Sequence, residues 1–220
     1  MERHFHEELK GLKVKLLQMG IVVEEAIEKA VEALLERNEK LARDVIDEER
    51  IINQFEISVD DKGHGLLAIG QPMAVDLRFI TAILKINNDL ERMGDHAVNI
   101  AERALILMKE PPLKANLRLP EMAEASLKML REALDSFINE NVDLARNVLQ
   151  RDDEVDAYND KLYLQMEELI EEDPSLVKRG MNLVMIGHNL ERIADLANNI
   201  AEDVIYMKEG KEVRHHADKD

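Results

Sequence analysis

Acidic side chains often lie four residues apart in this sequence, a spacing that suits the binding of a cation. Three such pairs are candidate ligands: Glu91 with Asp95, Asp152 with Asp156, and Glu191 with Asp195. Residues at this spacing lie about 5–6 Å apart on one face of a helix, where two carboxylates repel each other. A hard metal ion offsets such repulsion because it takes oxygen ligands from several carboxylates at once. The pairs therefore indicate metal binding as one candidate chemistry.

Two further positions extend this set of candidate ligands. His188 precedes Glu191 by three positions and so shares its helix face, and an imidazole ligand would widen the choice to iron, manganese or zinc. Glu49 with Asn53 corresponds to the Asp152 pair in the other half of the chain, but it lacks one carboxylate. The sequence therefore supports a metal site in the second half more strongly than one in the first half.

Arginine side chains offer an internal alternative to a metal as the counter-charge. Arg92 and Arg192 directly follow the glutamates of two of the pairs. A guanidinium group can hold a carboxylate of a neighbouring helix through two parallel hydrogen bonds. The sequence thus leaves metal binding and a structural arginine–carboxylate network equally open.

The acidic pairs belong to an internal repeat. The string DLERMGDHAVNIAER, which begins at Asp89, closely matches NLERIADLANNIAED, which begins at Asn189. On a helix that advances about 100° per residue, Glu91, Asp95 and Glu102 fall within about 40° of one another. The copies agree at polar positions of this face, although solvation alone would accept other polar residues there. The shared residues that we expect to be structural or to contact a partner are Arg92, Asn99 and Glu102 in the first copy, and Arg192, Asn199 and Glu202 in the second.

The elements that must position these residues are helices arranged in two similar halves. Apolar residues recur every three or four positions, as in the seam of a helical bundle. A Pro-rich stretch, Lys109 to Pro120, separates the halves and is predicted to be a linker. We expect an N-cap at Asn38, breaks at Asp60 to Gly65, Asn139 to Asn141 and Asp173 to Ser175, and a helix start at Gln71-Pro72. The prediction is an all-α fold of two tandem, internally duplicated three-helix bundles, residues 1–110 and 111–220.

Composition supports the helical fold and limits the classes of function. Charged residues make up 34% of the chain and aromatic residues only 3%, whereas sheets draw on aromatic and β-branched residues. The net charge of −17 disfavours binding to nucleic acid or to anionic membranes. Cysteine is absent, the first residues lack the apolar segment of a signal peptide, and no apolar run approaches the roughly 18 residues of a membrane span. We expect a cytoplasmic protein that binds no nucleic acid and does not insert into a membrane.

Three segments carry a more specific pattern: QPMAVDLRFI from Gln71 to Ile80, the string that begins at Asp89, and the stretch from Asn189 to Tyr206. Together they resemble the PhoU family of bacterial phosphate-signalling regulators over essentially the whole chain. The resemblance implies two three-helix bundles and negative regulation of the phosphate-starvation response. It also implies contacts with the phosphate ABC transporter ATPase and a sensor histidine kinase, and metal, often iron, on the acidic pairs.

Two residues of the first segment, Asp76 and Arg78, are candidates for structural or interaction roles. Residues two apart on a helix do not face each other, so each is expected to have another partner. Long bundles with exposed Met and Leu often pair, which favours a homodimer.

An enzyme and an inert helical scaffold are the alternatives to a regulator. A ferritin-like di-iron site needs two Glu-x-x-His motifs on inward-facing helices, and the only such spacing, Glu212 to His215, lies in the polar tail. Nucleophilic catalysis is poorly supported because there is no cysteine and the few serines have no histidine close in sequence. We therefore expect no enzymatic activity, while a carboxylate-rich metal-binding protein or metalloenzyme without a signalling role stays open as the alternative.

Overall fold

The computed structural model describes residues 2–113, 115–211 and 213, so Glu212 and His215 lie outside the described residues. Its regular elements are helical throughout this part of the chain, which confirms the predicted all-α fold. They are α1 (Glu2–Glu36), α2 (Glu39–Gly70), α3 (Val75–Leu107), α4 (Leu119–Asn139), α5 (Val142–Leu149), α6 (Asp152–Glu172) and α7 (Val177–Glu209), with a 3-10 helix at Pro174–Leu176. In the described ranges, no helix carries an apolar stretch long enough to cross a membrane.

The helices form two bundles that share one core. Helices α1, α2 and α3 pack against one another, and α4 packs with α5, α6 and α7. The third helix of each half, α3 or α7, lies at the centre and contacts its counterpart, and α1 also contacts α4. The apolar residues at the predicted spacing are buried, among them Leu12, Leu16, Met93, Ala97, Ile193 and Ile200. The internal repeat therefore builds a single continuous hydrophobic core.

The sequence DDKGHG does not interrupt α2, so the break predicted at Asp60 to Gly65 is wrong. Gly63 is buried against α3, and a Cβ atom built there would lie 2.6 Å from Leu84 Cδ2. Glycine is thus used for close helix packing and not as a helix end. Helix α2 continues to Gly70, where Gln71 adopts a left-handed conformation with φ of 43°. Glycine weakens a helix by about 1 kcal/mol relative to alanine, and packing offsets this cost.

The predicted helix start at Gln71-Pro72 is also wrong, because α3 begins at Val75 and Pro72 lies in the connection before it. The expected N-cap at Asn38 is confirmed, since its side chain accepts hydrogen bonds from the backbone of Lys40 and Leu41. Asn141 caps α5 in the same way.

The second half differs from the first in its middle segment. The single helix expected there is divided into α5 and α6 by a turn at residues 150–151. Arg151 Nε lies 2.9 Å from Glu132 Oε2 of α4 at this turn. As a result, Asp152 lies in the first turn of a helix, whereas its counterpart Glu49 lies inside α2.

Candidate acidic site between the helices

Each half of the chain contains a group of four carboxyl groups. The group in the second half, called the second cluster, lies on α6 and α7 and consists of Asp152, Asp156, Glu191 and Asp195. The first two lie in the opening turns of α6 and the other two lie in the middle of α7. Gly187 of α7 packs against Leu162 of α6 and leaves no room for a Cβ atom, so the two helices approach closely beside the cluster. The structure thus brings two of the predicted pairs together on neighbouring helices.

Burial and mutual repulsion raise the pKa values of the three aspartates of the second cluster, Asp152, Asp156 and Asp195. Burial is the largest cause for Asp152, and the charges of Asp156 and Asp195 add to it, so that its pKa rises to about 6. The pKa of Asp156 is raised by burial and then by the charges of Glu191 and Asp195. Burial also raises the pKa of Asp195, although Arg192 opposes the shift. Carboxylates in such surroundings favour a bound proton or a bound cation.

Four polar side chains already contact the second cluster, and one of them, Asn198, hydrogen-bonds with Asp152. Asn159 Nδ2 donates a hydrogen bond to Glu191 Oε2 at 2.8 Å, and His188 Nδ1 lies 3.0 Å from the same oxygen, on the face that the sequence predicted. Arg192 Nη1 donates to Asp195 Oδ2 at 2.6 Å. Arg192 therefore pairs with a carboxylate of its own helix. The predicted arginine–carboxylate network required a carboxylate of a neighbouring helix instead.

Four carboxyl groups of α2 and α3 form the first cluster, which consists of Glu49, Glu56, Glu91 and Asp95. Burial is the main cause that raises the pKa of Glu91, and the charges of Asp95, Glu56 and Glu49 add to it while Arg92 opposes it. Arg92 Nη1 lies 4.0 Å from Asp89 Oδ1, again within its own helix. In the described residues, none of the four carboxylates has a hydrogen-bond or ion-pair partner of the kind found in the second cluster.

Glu56 was missed because it lies three residues beyond Asn53, outside the pair of positions that correspond to Asp152 and Asp156. The repeat itself contains the signal that finds it. At an offset of 103 residues, the positions that correspond are Glu49 with Asp152, Asn53 with Asp156, and Glu56 with Asn159. Carboxylate and amide are exchanged at the last two positions. Each half therefore supplies two carboxylates and one amide from its middle segment, and the first half does not lack a carboxylate.

The donor set of the two clusters fits a hard cation. Asn53 Oδ1, Asp152 Oδ1 and Asn198 Oδ1 are buried and have no hydrogen-bond partner among the described residues. Carboxylate and amide oxygens are the ligands that hard divalent cations prefer. Over residues 2–113, 115–211 and 213, however, no three His, Asp or Glu side chains are placed so that they could hold a metal ion. Metal binding by either cluster stays a prediction.

An acidic cleft of about 940 Å³ lies between the two bundles, next to the second cluster. Asn199 and Glu202, two of the predicted interaction residues, line it together with Asp195. Lys85 Nζ of α3 lies 2.8 Å from Oδ1 of the buried Asp203 of α7, a pair that the sequence search missed. The corresponding residues Asn99 and Glu102 of α3 are exposed.

A second polar contact joins α3 to α7. Asn189 Nδ2 donates to the carbonyl oxygen of Met185, so its Oδ1 accepts from His96 Nδ1 at 2.8 Å. Burial lowers the pKa of His96, which favours the neutral ring in this contact. His96 is therefore a link between the bundles.

The remaining predicted residues, Asp76 and Arg78, lie away from both clusters at the start of α3. Arg78 Nε donates to the carbonyl oxygen of Met207 in the last turn of α7, at 3.2 Å. Arg78 thus has a partner other than Asp76, as the sequence predicted. Both side chains line a separate cavity.

Comparison with known proteins identifies the family. The family model described as "PhoU domain" matches this chain twice, at residues 16–104 and 119–204. The chain belongs to the PhoU family. A relative from Aquifex aeolicus, the "Phosphate-specific transport system accessory protein PhoU homolog", is 41% identical over 95% of both chains. A relative of the same name from Pseudomonas aeruginosa is 38% identical over 98% of this PhoU-family chain and 89% of its own.

Solved structures of the PhoU family have the same fold. The crystal structure of PhoU from Pseudomonas aeruginosa superposes with a TM-score of 0.91 at 38% identity, covering 94% of this chain and all of that one. The phosphate transport system regulatory protein PhoU from Streptococcus pneumoniae gives a TM-score of 0.89 at 32% identity over 95% of this chain and 99% of its own. The duplicated helical architecture is therefore that of the family.

Proposed function

We propose that this protein regulates phosphate uptake and restrains the phosphate-starvation response through protein–protein contacts. Its partners would be the ATPase of the phosphate ABC transporter and a sensor histidine kinase, which places it in the cytoplasm. The observation that carries the proposal is the match of both repeats to the PhoU domain, together with relatives named as accessory proteins of phosphate-specific transport. The acidic surface, with a net charge of −17, suits basic protein surfaces as partners.

The proposed role is not enzymatic. In the second cluster, Glu191 contacts His188 and Asn159, and Asp195 contacts Arg192, an arrangement that suits a charge-balancing site. Hydrolysis of phosphate esters by the metal-loaded protein would overturn this part of the proposal if the activity were lost in the Asp195→Asn variant.

Both acidic clusters are proposed to bind iron or another divalent metal. Asp152, Asp156, Glu191 and Asp195 would hold it in the second cluster, with His188 beside them. In the first cluster the ligands would be Glu49, Glu56, Glu91 and Asp95. The bound ion would supply positive charge that neutralises these carboxylates. The chain contributes the carboxylates from two helices at a time, so each cluster joins the middle segment of its bundle to the third helix.

A homodimer is also part of the proposal. Large apolar side chains are exposed near the start of the third helix in each bundle, with Met73 at 80% and Met181 at 54% exposure. Val75, Leu77 and Val177 are exposed beside them. Sedimentation equilibrium would test this, since a monomer over the whole accessible concentration range would contradict it.

The regulatory proposal is tested in cells by deletion and by crosslinking. We expect deletion to raise expression of phosphate-response genes under phosphate-replete conditions, and crosslinking to recover the transporter ATPase and the kinase. A strain whose protein carries Glu191→Gln with Asp195→Asn shows whether gene regulation and partner capture depend on metal bound to the second cluster. If deletion leaves these genes unchanged and neither partner is recovered, the alternative of a metal-binding protein without a signalling role gains support.

A further inference from the structure

A basic cavity of about 420 Å³ stands out in this acidic molecule. Four basic side chains line it: Lys10 and Lys13 of α1, Arg78 of α3 and Lys208 of α7. Two carboxylates also line it, Asp76 of α3 and Glu140 at the end of α4. The cavity thus gathers residues of both bundles, and its cations outnumber its carboxylates in a chain whose net charge is −17.

Contacts with backbone and side chains position three of the four cations. Lys13 Nζ donates to the carbonyl oxygen of Ile138 at 2.8 Å, Arg78 Nε donates to that of Met207 at 3.2 Å, and Lys208 Nζ lies 2.7 Å from Glu140 Oε2. The first two contacts cap the C-terminal ends of α4 and α7, where cations are favourable. Capping therefore accounts for one hydrogen-bond donor of Lys13 and one of Arg78.

Capping does not account for the rest of the cavity. Within the described residues, Lys10 has no hydrogen-bond or ion-pair partner, and the two Nη groups of Arg78 have none either. An arginine whose Nε is fixed presents its Nη groups in a rigid fork that matches the oxygens of phosphate. An unpaired ammonium on the opposite helix adds a second charge. The cavity therefore has the donors for an oxyanion.

Asp76 decides which oxyanion fits. A carboxylate accepts hydrogen bonds and repels an anion that has no proton to offer. Inorganic phosphate keeps a proton at neutral pH, whereas sulfate has none and a phosphate monoester loses its second proton near pH 6. A site built to hydrogen-bond a hydroxyl rejects analogues that lack it.

We propose that this basic cavity binds inorganic phosphate, with Lys10 and Arg78 donating to its oxygens and Asp76 accepting a hydrogen bond from its hydroxyl group. The residues that line the cavity support an anion site, and the physiological meaning of phosphate as its ligand rests on the proposed function. A phosphate site in this cavity would give a role to Asp76 and Arg78, which belong to neither acidic cluster.

Isothermal titration calorimetry of the full chain at pH 8 tests the proposal, with inorganic phosphate, sulfate and phenyl phosphate as separate probes. We expect saturable binding of phosphate and weaker binding of the other two. Lys10→Gln and Arg78→Gln should each weaken phosphate binding by about tenfold or more, as loss of a hydrogen bond to a charged group predicts. Lys128→Gln removes the same charge from an exposed position of α4 outside the cavity, and should leave binding unchanged.

The selectivity variant is Asp76→Asn, which should bring the affinities for phosphate and sulfate together. Arg78→Gln also loses the cap of α7, so Lys10→Gln, which breaks no contact of the described fold, is the decisive variant. The proposal is overturned by an absence of saturable phosphate binding, by equal loss in the Lys10 and Lys128 variants, or by sulfate or phenyl phosphate binding as tightly as phosphate. If phosphate binding fails while partner capture succeeds, only the anion site is rejected, and the reverse result rejects the proposed function alone.

Discussion

The two acidic clusters occupy equivalent places in the repeat but balance their charge differently. In the second cluster Asp195 is paired with Arg192, and Glu191 accepts from Asn159 and lies beside His188. In the first cluster, the equivalent Arg92 lies beside Asp89 and not Asp95. Both nevertheless contain four carboxylates, because carboxylate and amide are exchanged between their middle segments.

The comparison shows which features of the two clusters are the same in both halves of the chain and which differ. The number of carboxylates that face each third helix is the same, while the internal hydrogen-bond donors are not. In the described residues, an ion pair and hydrogen bonds partly neutralise the second cluster, whereas in the first cluster the charge of Arg92 acts on Glu91 without such a contact. Substitutions at equivalent positions of the two clusters should therefore have unequal effects.

The largest expected effect is on metal content. Glu191→Gln with Asp195→Asn should remove about half of the bound metal from protein purified without chelator, and Glu91→Gln with Asp95→Asn should remove the rest when combined with it. Elemental analysis measures this, with circular dichroism to show that each variant remains folded. Protein that carries no metal even before substitution would leave Arg192 as the main counter-charge of the second cluster and would reject the metal proposal.

Helix approach beside the clusters should give the next largest effect. Gly187→Val would place methyl groups against Leu162 and disturb Asn159, so we expect a loss of about 1–3 kcal/mol in the free energy of unfolding. Gly94→Val, beside the first cluster, should also destabilise the protein, because a Cβ atom there lies 2.8 Å from Ile52 Cδ1. Urea denaturation measures both.

The control for these variants is Gly65→Ala, since nothing lies within 4 Å of a Cβ atom built at Gly65. It should stabilise the protein by up to about 1 kcal/mol through helix propensity. Destabilisation of the control by as much as Gly187→Val would show that the glycines matter for a reason other than close packing.

A smaller effect is expected from the arginines. Arg192→Gln removes a charge that competes with a cation for Asp195, so metal binding to the second cluster should tighten by up to about fivefold, as for the loss of an exposed ion pair. Arg92→Gln should change binding to the first cluster less, since Arg92 contacts Asp89 instead. Competition with a metal indicator dye measures both affinities, and weaker binding in the Arg192 variant would contradict this role.

The smallest effect concerns the metal-free protein. The pKa of Asp152 is raised to about 6, so the folded state binds a proton there more tightly than the unfolded state does. The stability that this proton provides is present below the ordinary pKa of aspartate and is lost as the pH rises through about 6. Asp152→Asn should therefore stabilise chelator-treated protein at pH 8 by a few tenths of a kcal/mol, the size of a like-charge pair on a helix.

At pH 4 the gain from Asp152→Asn should vanish, because the native side chain is then protonated. Thermal unfolding at the two pH values measures the difference, and Asp143→Asn, an exposed aspartate in the first turn of α5, is the matched control. An equal gain at both pH values would mean that the raised pKa of Asp152 is not its cause.

Much of the candidate site could be predicted from local spacing. The pairs Glu91 with Asp95 and Glu191 with Asp195 lie on one face of their helices, and His188 lies beside Glu191 as expected. Glu56 was not predicted, because spacing within one helix does not show which of its many carboxylates meets those of the neighbouring helix. The Lys85 contact with Asp203 and the His96 contact with Asn189 were likewise invisible, since both join α3 to α7 across the two bundles.

The sequence by itself determined the helical period, the duplication, the cap at Asn38 and the face of each helix that carries the carboxylates. These depend on neighbours within a few positions along the chain, which the 3.6-residue repeat of the helix relates directly. Only the tertiary structure decided that DDKGHG continues α2, that the middle segment of the second half divides at residues 150–151, and which acidic faces meet. Those outcomes depend on contacts such as Gly63 with Leu84 and Gly187 with Leu162, where two distant segments share the same space.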